Sequence, residues 1–322
     1  MSTVKKYLSL IKFSHTIFAM PFALIGFFLA ASYNGWIYSN NQWNLNKTVG
    51  WISIKPNIDY AFLIYKFILV LLCMVFARSA AMAFNRYLDR KWDALNPRTA
   101  IREIPNGIIS PGNALIFTIV NCILFISATY FINRICFILS PVALAVVLGY
   151  SYTKRFTPLC HLILGLGLSL APIGAYLAIT GHFDLLPVLF SFAVIFWVSG
   201  FDIIYALQDV EFDQSQQLYS IPAWLGRKKA LHVSEALHGL SFLAVLAAGR
   251  LGSFGWLYWA GVAVFGACLI YQHSIVNPND LRRVNIAFMT MNGIASVIFA
   301  LFVIADLLVN QQHFYFGQDT FH

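Results

Sequence analysis

The sequence predicts an all-α, polytopic membrane protein with nine transmembrane helices. Three observations predict it. Of 322 residues, 59% are hydrophobic and only 11% are charged, whereas a soluble domain carries about 25% charged residues. Nine apolar runs recur along the chain, each close to the roughly 17–25 residues with which a helix crosses the hydrocarbon core. Lys and Arg gather in alternate gaps between those runs, as the positive-inside rule requires.

The runs lie at 15–33, 60–82, 114–132, 135–151, 159–180, 185–206, 231–250, 254–272 and 286–309. The fourth is at the short limit. The seventh is the weakest, because His232, Glu235 and His238 load its start. A signal peptide ending near Ala30-Ala31-Ser32 is set aside, since more apolar runs follow and no soluble domain does. With the N-terminus inside, sixteen of the 21 Lys and Arg fall in inside segments. They include Lys5, Lys6 and Lys12, the stretch from Arg78 to Arg102, Lys154 and Arg155. Lys47, Lys55, Lys66, Arg134 and Arg250 fall outside. The tail from Asn310 to His322 carries no Lys or Arg, as an outside tail should. The expectation is an integral protein of a bacterial-type inner (plasma) membrane, N-terminus inside and C-terminus outside.

The net charge of +8 does not point to nucleic acid, because the basic residues sit in short clusters between apolar runs with no binding motif. Cys73, Cys122, Cys136, Cys160 and Cys268 form no C-x-x-C and lie in or beside apolar runs. They read as buried thiols, not a disulfide frame or a zinc site. No H-E-x-x-H is present.

Two long inside loops, about 83–113 and 207–230, carry acids. In "NRYLDRKWD", Asn85, Asp89 and Asp93 fall at i, i+4 and i+8, one helix face. Arg78 lies seven residues earlier on the same face. In "DIIYALQDVEFD", Asp202, Asp209 and Asp213 fall at i, i+7 and i+11, again one face. Asp89 to Asp209 and Asp93 to Asp213 are both offsets of 120, and an Ile-Pro follows each pair. A duplicated half explains that match within one integral-membrane domain over residues 1–322. Carboxylates this close repel unless a cation lies between them. Their hard oxygens suit Mg²⁺, which prefers few carboxylates plus phosphate oxygens. Ionisable groups at a membrane helix end are a functional site by default. Lys154 and Arg155, in the next inside loop, are suited to phosphate oxygens.

These stretches resemble a family. "NRYLDRKWDALNPRT", "REIPNGIIS", "YSYTKRFT" and "DIIYALQDVEFDQSQQLYSIP" are similar to the UbiA superfamily of intramembrane polyprenyltransferases, over nearly the whole chain. The resemblance implies nine helices around a central cavity open to lipid. It implies transfer of a polyprenyl group from polyprenyl diphosphate to an aromatic acceptor, with Mg²⁺. It places Asn85, Asp89, Asp93, Asp209 and Asp213 on the metal. Tyr150, Lys154 and Arg155 match the family's Y-x-x-x-K-R element. "SLAPIGAYLAITG" and "YQHSIV" are similar to the 4-hydroxybenzoate polyprenyltransferase group. "KFSHTIFAMPFAL" and "REIP" resemble relatives that act on a dihydroxy-6-naphthoate in a menaquinone route.

A hydroxylated aromatic acid needs a cation for its carboxylate, from Lys12, Arg78, Lys154 or Arg155. Tyr150, Tyr152 and Tyr205 either shelter an allylic cation or belong to an interfacial belt. His15 either touches the acceptor or is a satisfied membrane histidine. Two rivals stand against an enzyme. A transporter would place its acids near the midplane, whereas these sit at one face. A scaffold leaves the matched acid pairs unexplained.

Overall fold

The computed structural model describes residues 3–11, 19–33 and 60–310. In order, its helices are α1 (Thr3–Leu10), α2 (Met20–Tyr33), α3 (Tyr60–Leu95), α4 (Pro111–Ile132), α5 (Arg134–Thr153) and α6 (Cys160–Thr180). They continue as α7 (Leu185–Ala206), α8 (Val210–Ser215), α9 (Ile221–Leu225), α10 (Arg227–Leu251), α11 (Trp256–Ile275) and α12 (Asn292–Val309). A 3-10 turn at Leu207–Asp209 joins α7 to α8, and a π turn at Ile286–Met291 leads into α12.

Among the described residues seven helices are long and apolar enough to cross a membrane, so the expected count of nine is not reached. The expected weakest run qualifies, as α10. Of the expected runs, those outside the seven are the first, whose described helix α2 has 14 residues, and the eighth, α11, whose Trp, Tyr, Gln and His ends dilute its apolar middle. Lys12, His15, Lys47, Lys55 and the tail beyond Asn310 lie outside the described residues.

The longest helix positions the first acid motif. Across its 36 residues α3 contains neither Pro nor Gly, so nothing stops it at the membrane surface. At 1.5 Å per residue it spans roughly 54 Å, well beyond the hydrocarbon thickness of about 30 Å. It ends at Asn96-Pro97, where proline disfavours helical geometry in the residue before it. Its final turns, with Asn85, Asp89 and Asp93, therefore project past the apolar segment.

Caps fix the other ends. Ser110 accepts from Asn113 N at the start of α4, with Pro111 in the first turn. Asn133 N-caps α5 through Cys136 N and donates Nδ2 to Leu177 O at 2.7 Å, tying the α4–α5 corner to α6. Gly181 closes α6 at φ 70°, a conformation glycine adopts freely.

α7 packs between α6 and α10, α2 lies on α6, and α12 closes back on α2 and α11. Their shared core is aromatic. Phe22, Trp197, Tyr258, Phe265 and Phe299 are fully buried, with Trp197 centred 5.3 Å from Phe22 and 6.1 Å from Phe265. The indole Nε1 donates to Asn292 Oδ1 at 3.0 Å, satisfying a group that burial would otherwise penalise. This half of the molecule is filled. α3, α4 and α5 stand on the other side of α6 and leave a cavity.

Candidate active site

The first acid motif keeps the geometry its spacing predicts. Asn85 Nδ2 donates to Asp89 Oδ2 at 3.0 Å, one turn apart on α3. Asp93 is buried. Arg102 Nη1 donates to its Oδ1 at 2.5 Å, and Arg86 Nη1 stands 4.0 Å from Oδ2. That second oxygen is buried and accepts no hydrogen bond, an arrangement that costs free energy in a low-dielectric setting.

The second motif lies where α7 gives way to the 3-10 turn. Arg98 grips Asp209 with both arms of its fork: Nη2 to Oδ2, and Nε to Oδ1 at 3.1 Å. Asn96 Nδ2 adds a bond to Oδ1 at 3.2 Å, and Arg98 Nη1 donates to the Tyr205 hydroxyl at 2.7 Å. Burial pulls the Arg98 guanidinium down, and the Asp209 carboxylate outweighs it, leaving its pKa raised. Asp213 is fully buried. Lys154 Nζ pairs with its Oδ1 at 2.7 Å, and Ser220 Oγ donates to Oδ2 at 2.9 Å. Burial likewise pulls Lys154 down, and Asp213 more than restores it.

Asp202 has a different partner from the two motif acids after it. Asp202 Oδ2 meets His161 Nδ1 on α6 at 2.6 Å, whereas Asp209 pairs with Arg98 and Asp213 with Lys154. Lys154 and Arg155 stand against acids in this structure, Lys154 on Asp213 and Arg155 on Asp89. Arg155 Nη2 lies 3.4 Å from Asp89 Oδ1 and donates to Leu88 O at 3.2 Å, with its guanidinium 4.5 Å from the Trp92 ring and 5.2 Å from Tyr152. Each of the four motif acids therefore has a basic partner. Among the described residues no three His, Cys, Asp or Glu side chains come together as a metal cage.

A cavity of about 410 Å³ adjoins the motifs, walled mainly by α3, α4, α5 and α6. On α3 its lining runs from Val70 to Met82, on α5 from Cys136 to Tyr150, and on α6 from Leu164 to Leu177. At 1.5 Å per residue each stretch is roughly 18–21 Å long, most of the hydrocarbon depth. Arg78 and Tyr150 line the end nearest the acids. Arg78 Nε is buried without a hydrogen bond, so a cation faces an otherwise apolar chamber. Tyr205 is at the site through Arg98, but Tyr152 is not a cavity-lining residue.

The sequence reading missed Arg98 and Arg102, which counted there only as topological charge, and Asn96, His161 and Ser220. A signal was available. In a chain this poor in charge, two arginines at five and nine residues after Asp93 stand in the same loop as the acids.

Comparison with known proteins fits this geometry. Residues 57–294 match the family described as the UbiA prenyltransferase family. The chain belongs to it. This UbiA-family protein is thus a prenyltransferase enzyme and, with its apolar spans, an integral membrane protein. It is 30% identical over 226 residues to a 4-hydroxybenzoate octaprenyltransferase of Citrobacter koseri, covering 69% of this chain and 76% of that protein. It is 29% identical over 222 residues to the enzyme of the same name from Salmonella paratyphi B, with coverages of 69% and 76%. Its structure resembles the apo structure of a UbiA homologue from Aeropyrum pernix K1, with a TM-score of 0.72, 28% identity and coverages of 92% and 98%. A UbiA homologue from Archaeoglobus fulgidus bound to GPP and Mg²⁺ shares the fold, with a TM-score of 0.63, 20% identity and coverages of 94% and 100%.

Proposed function

We propose that this UbiA-family enzyme transfers a polyprenyl group from polyprenyl diphosphate to a hydroxylated aromatic acid in quinone biosynthesis, with 4-hydroxybenzoate as first acceptor. The observation that carries the reading is the two acid motifs placed over a deep apolar cavity whose near end holds Arg78. The similarity to 4-hydroxybenzoate octaprenyltransferases supports the acceptor. The reacting end faces the cytoplasm, since the motifs belong to Lys- and Arg-rich loops. The whole chain forms one domain, its two acidic helix ends being copies of one ancestral unit.

The motif residues fit a hard divalent cation. Their carboxylate and amide oxygens are hard donors, and the buried Asp93 Oδ2 accepts no hydrogen bond. Mg²⁺ needs only one or two carboxylates beside phosphate oxygens and water, so a three-acid cage is not required. Asn85, Asp89 and Asp93 would hold one ion, and Asp209 and Asp213 another. When bound, Mg²⁺ supplies positive charge to the diphosphate as it leaves.

The chain's own residues do the rest. Lys154 and Arg155 lie beside the acids and hold the diphosphate. The allylic C–O bond breaks and its electron pair leaves with the diphosphate. The allylic carbon bonds to the ring carbon ortho to the phenol hydroxyl, and loss of the ring proton restores aromaticity. The apolar walls keep water from the cation, and the Tyr150 ring faces the same space. Arg78 meets the acceptor carboxylate, which would otherwise enter a low-dielectric chamber unpaired. The prenyl tail occupies the cavity and continues toward lipid.

The test is transfer from a labelled polyprenyl diphosphate in membranes carrying the protein, with 4-hydroxybenzoate and 1,4-dihydroxy-6-naphthoate as parallel acceptors. The proposal expects labelled 4-hydroxybenzoate. The segments "KFSHTIFAMPFAL" and "REIP" favour the naphthoate as second reading, and labelling of it alone would transfer the assignment there.

A further inference from the structure

One short loop reaches both acid motifs. Asn96 to Arg102 winds through tight turns, with Ala100 N bonded to Asn96 O and Arg102 N to Thr99 O. It presents two guanidinium groups in opposite service: Arg98 to Asp209 at the end of α7, and Arg102 to Asp93 at the end of α3. The carboxylates are the deeper partners. The side chains of Asp209 and Asp93 are 12% and 8% exposed, against 32% for Arg98 and 19% for Arg102. The arginines thus cover the acid oxygens from the open side.

Charge explains why something must. Bare carboxylates grouped at a half-buried site repel one another and lose hydration. Each of the four motif acids has a basic partner, Arg155, Arg102, Arg98 or Lys154, and Asp93 has Arg86 as a second. A divalent ion on Asp209 would need the oxygens that Arg98 now occupies, and one on Asp93 would stand beside the oxygen that Arg102 holds. A purely structural staple would bury both partners alike. Here Asp93 Oδ2 stays without a hydrogen bond, and the outer partner is the one on a loop.

We propose that Arg98 and Arg102 are stand-in cations, holding the acid motifs closed before loading and yielding their carboxylates to the divalent ion. Once released they face the incoming diphosphate. This rests on the metal-dependent reading above and adds the exchange to it. Loop and metal then compete without diphosphate and cooperate with it.

The experiment uses the full-length protein in detergent micelles with Mn²⁺ as probe, free Mn²⁺ being read by electron paramagnetic resonance without any prenyl diphosphate. Arg98→Gln and Arg102→Gln should each bind Mn²⁺ about tenfold more tightly than wild type, the scale of one charged hydrogen bond removed from competition. Equal or weaker binding overturns the proposal. A second measurement needs no variant. Phenylglyoxal labelling of Arg98 in the wild type, mapped by mass spectrometry, should rise on adding Mn²⁺ and fall again when a prenyl thiolodiphosphate follows. Labelling that Mn²⁺ leaves unchanged overturns the proposal even if prenyl transfer proves metal-dependent. Transfer that needs no metal overturns both readings.

Discussion

Arg98 and Asp209 are 111 residues apart in the chain, and the guanidinium of one meets both carboxylate oxygens of the other. This bidentate pair fastens the loop after α3 to the end of α7. It joins the two acid motifs into one site, although they belong to different halves of the sequence.

Asp89→Ala and Asp209→Ala should each lower prenyl transfer at least about a hundredfold, the scale for losing a group that stabilises developing charge. Both variants should still insert in the membrane, since each acid contacts polar partners, not the aromatic core. Transfer rates at matched expression test this, and near-native activity in either would remove that acid from the site.

Chelation should abolish turnover. With excess EDTA, transfer by purified protein should stop, and Mg²⁺ or Mn²⁺ should restore it. Ca²⁺ should restore less, because its longer and looser coordination suits a compact diphosphate clamp poorly. Full activity in EDTA would leave the acids without their proposed task.

Arg78→Ala should raise the acceptor KM about tenfold or more while changing the prenyl diphosphate KM little, as expected when a buried anion loses its cation. Arg78 lines the cavity and has a buried Nε without a partner. A rise confined to the diphosphate KM would move Arg78 to the leaving group and make Lys12 or Arg155 the acceptor's partner.

Gly174 lines the cavity, and a Cβ there meets nothing within 4 Å. Gly174→Phe should therefore fold while filling part of the chamber. Its KM for a long polyprenyl diphosphate should rise several-fold more than for geranyl diphosphate. Equal effects on both donors would place the tail elsewhere.

Gly26 is the contrasting position. A Cβ there runs into the backbone carbonyl of Pro172, where α2 and α6 approach closely. Gly26→Leu should destabilise the fold by about 1–3 kcal/mol, the usual scale of overpacking. Gly239→Ala, inside α10 with open space around its Cβ, is the control and should not lower thermal stability in micelles, since alanine is the better helix former.

By itself the sequence determined the class of protein, the approximate positions of its helices and the face carrying Asn85 and Asp89. Hydrophobic run length and the 3.6-residue period are local properties, readable from neighbours along the chain. A period along the helix does not name the partner, however: Asp202, at i of the i, i+7, i+11 set, meets His161 on α6. The tertiary structure alone decided which cation serves which acid: Arg98 for Asp209, Arg102 for Asp93, Lys154 for Asp213 and Arg155 for Asp89. It also decided that the cavity lies among α3 to α6 while α7 and α10 to α12 pack around Trp197 and Phe265. Ion pairs and cavities depend on how distant helices cross, and that crossing is set by side-chain packing across the whole bundle, which has no period along the chain.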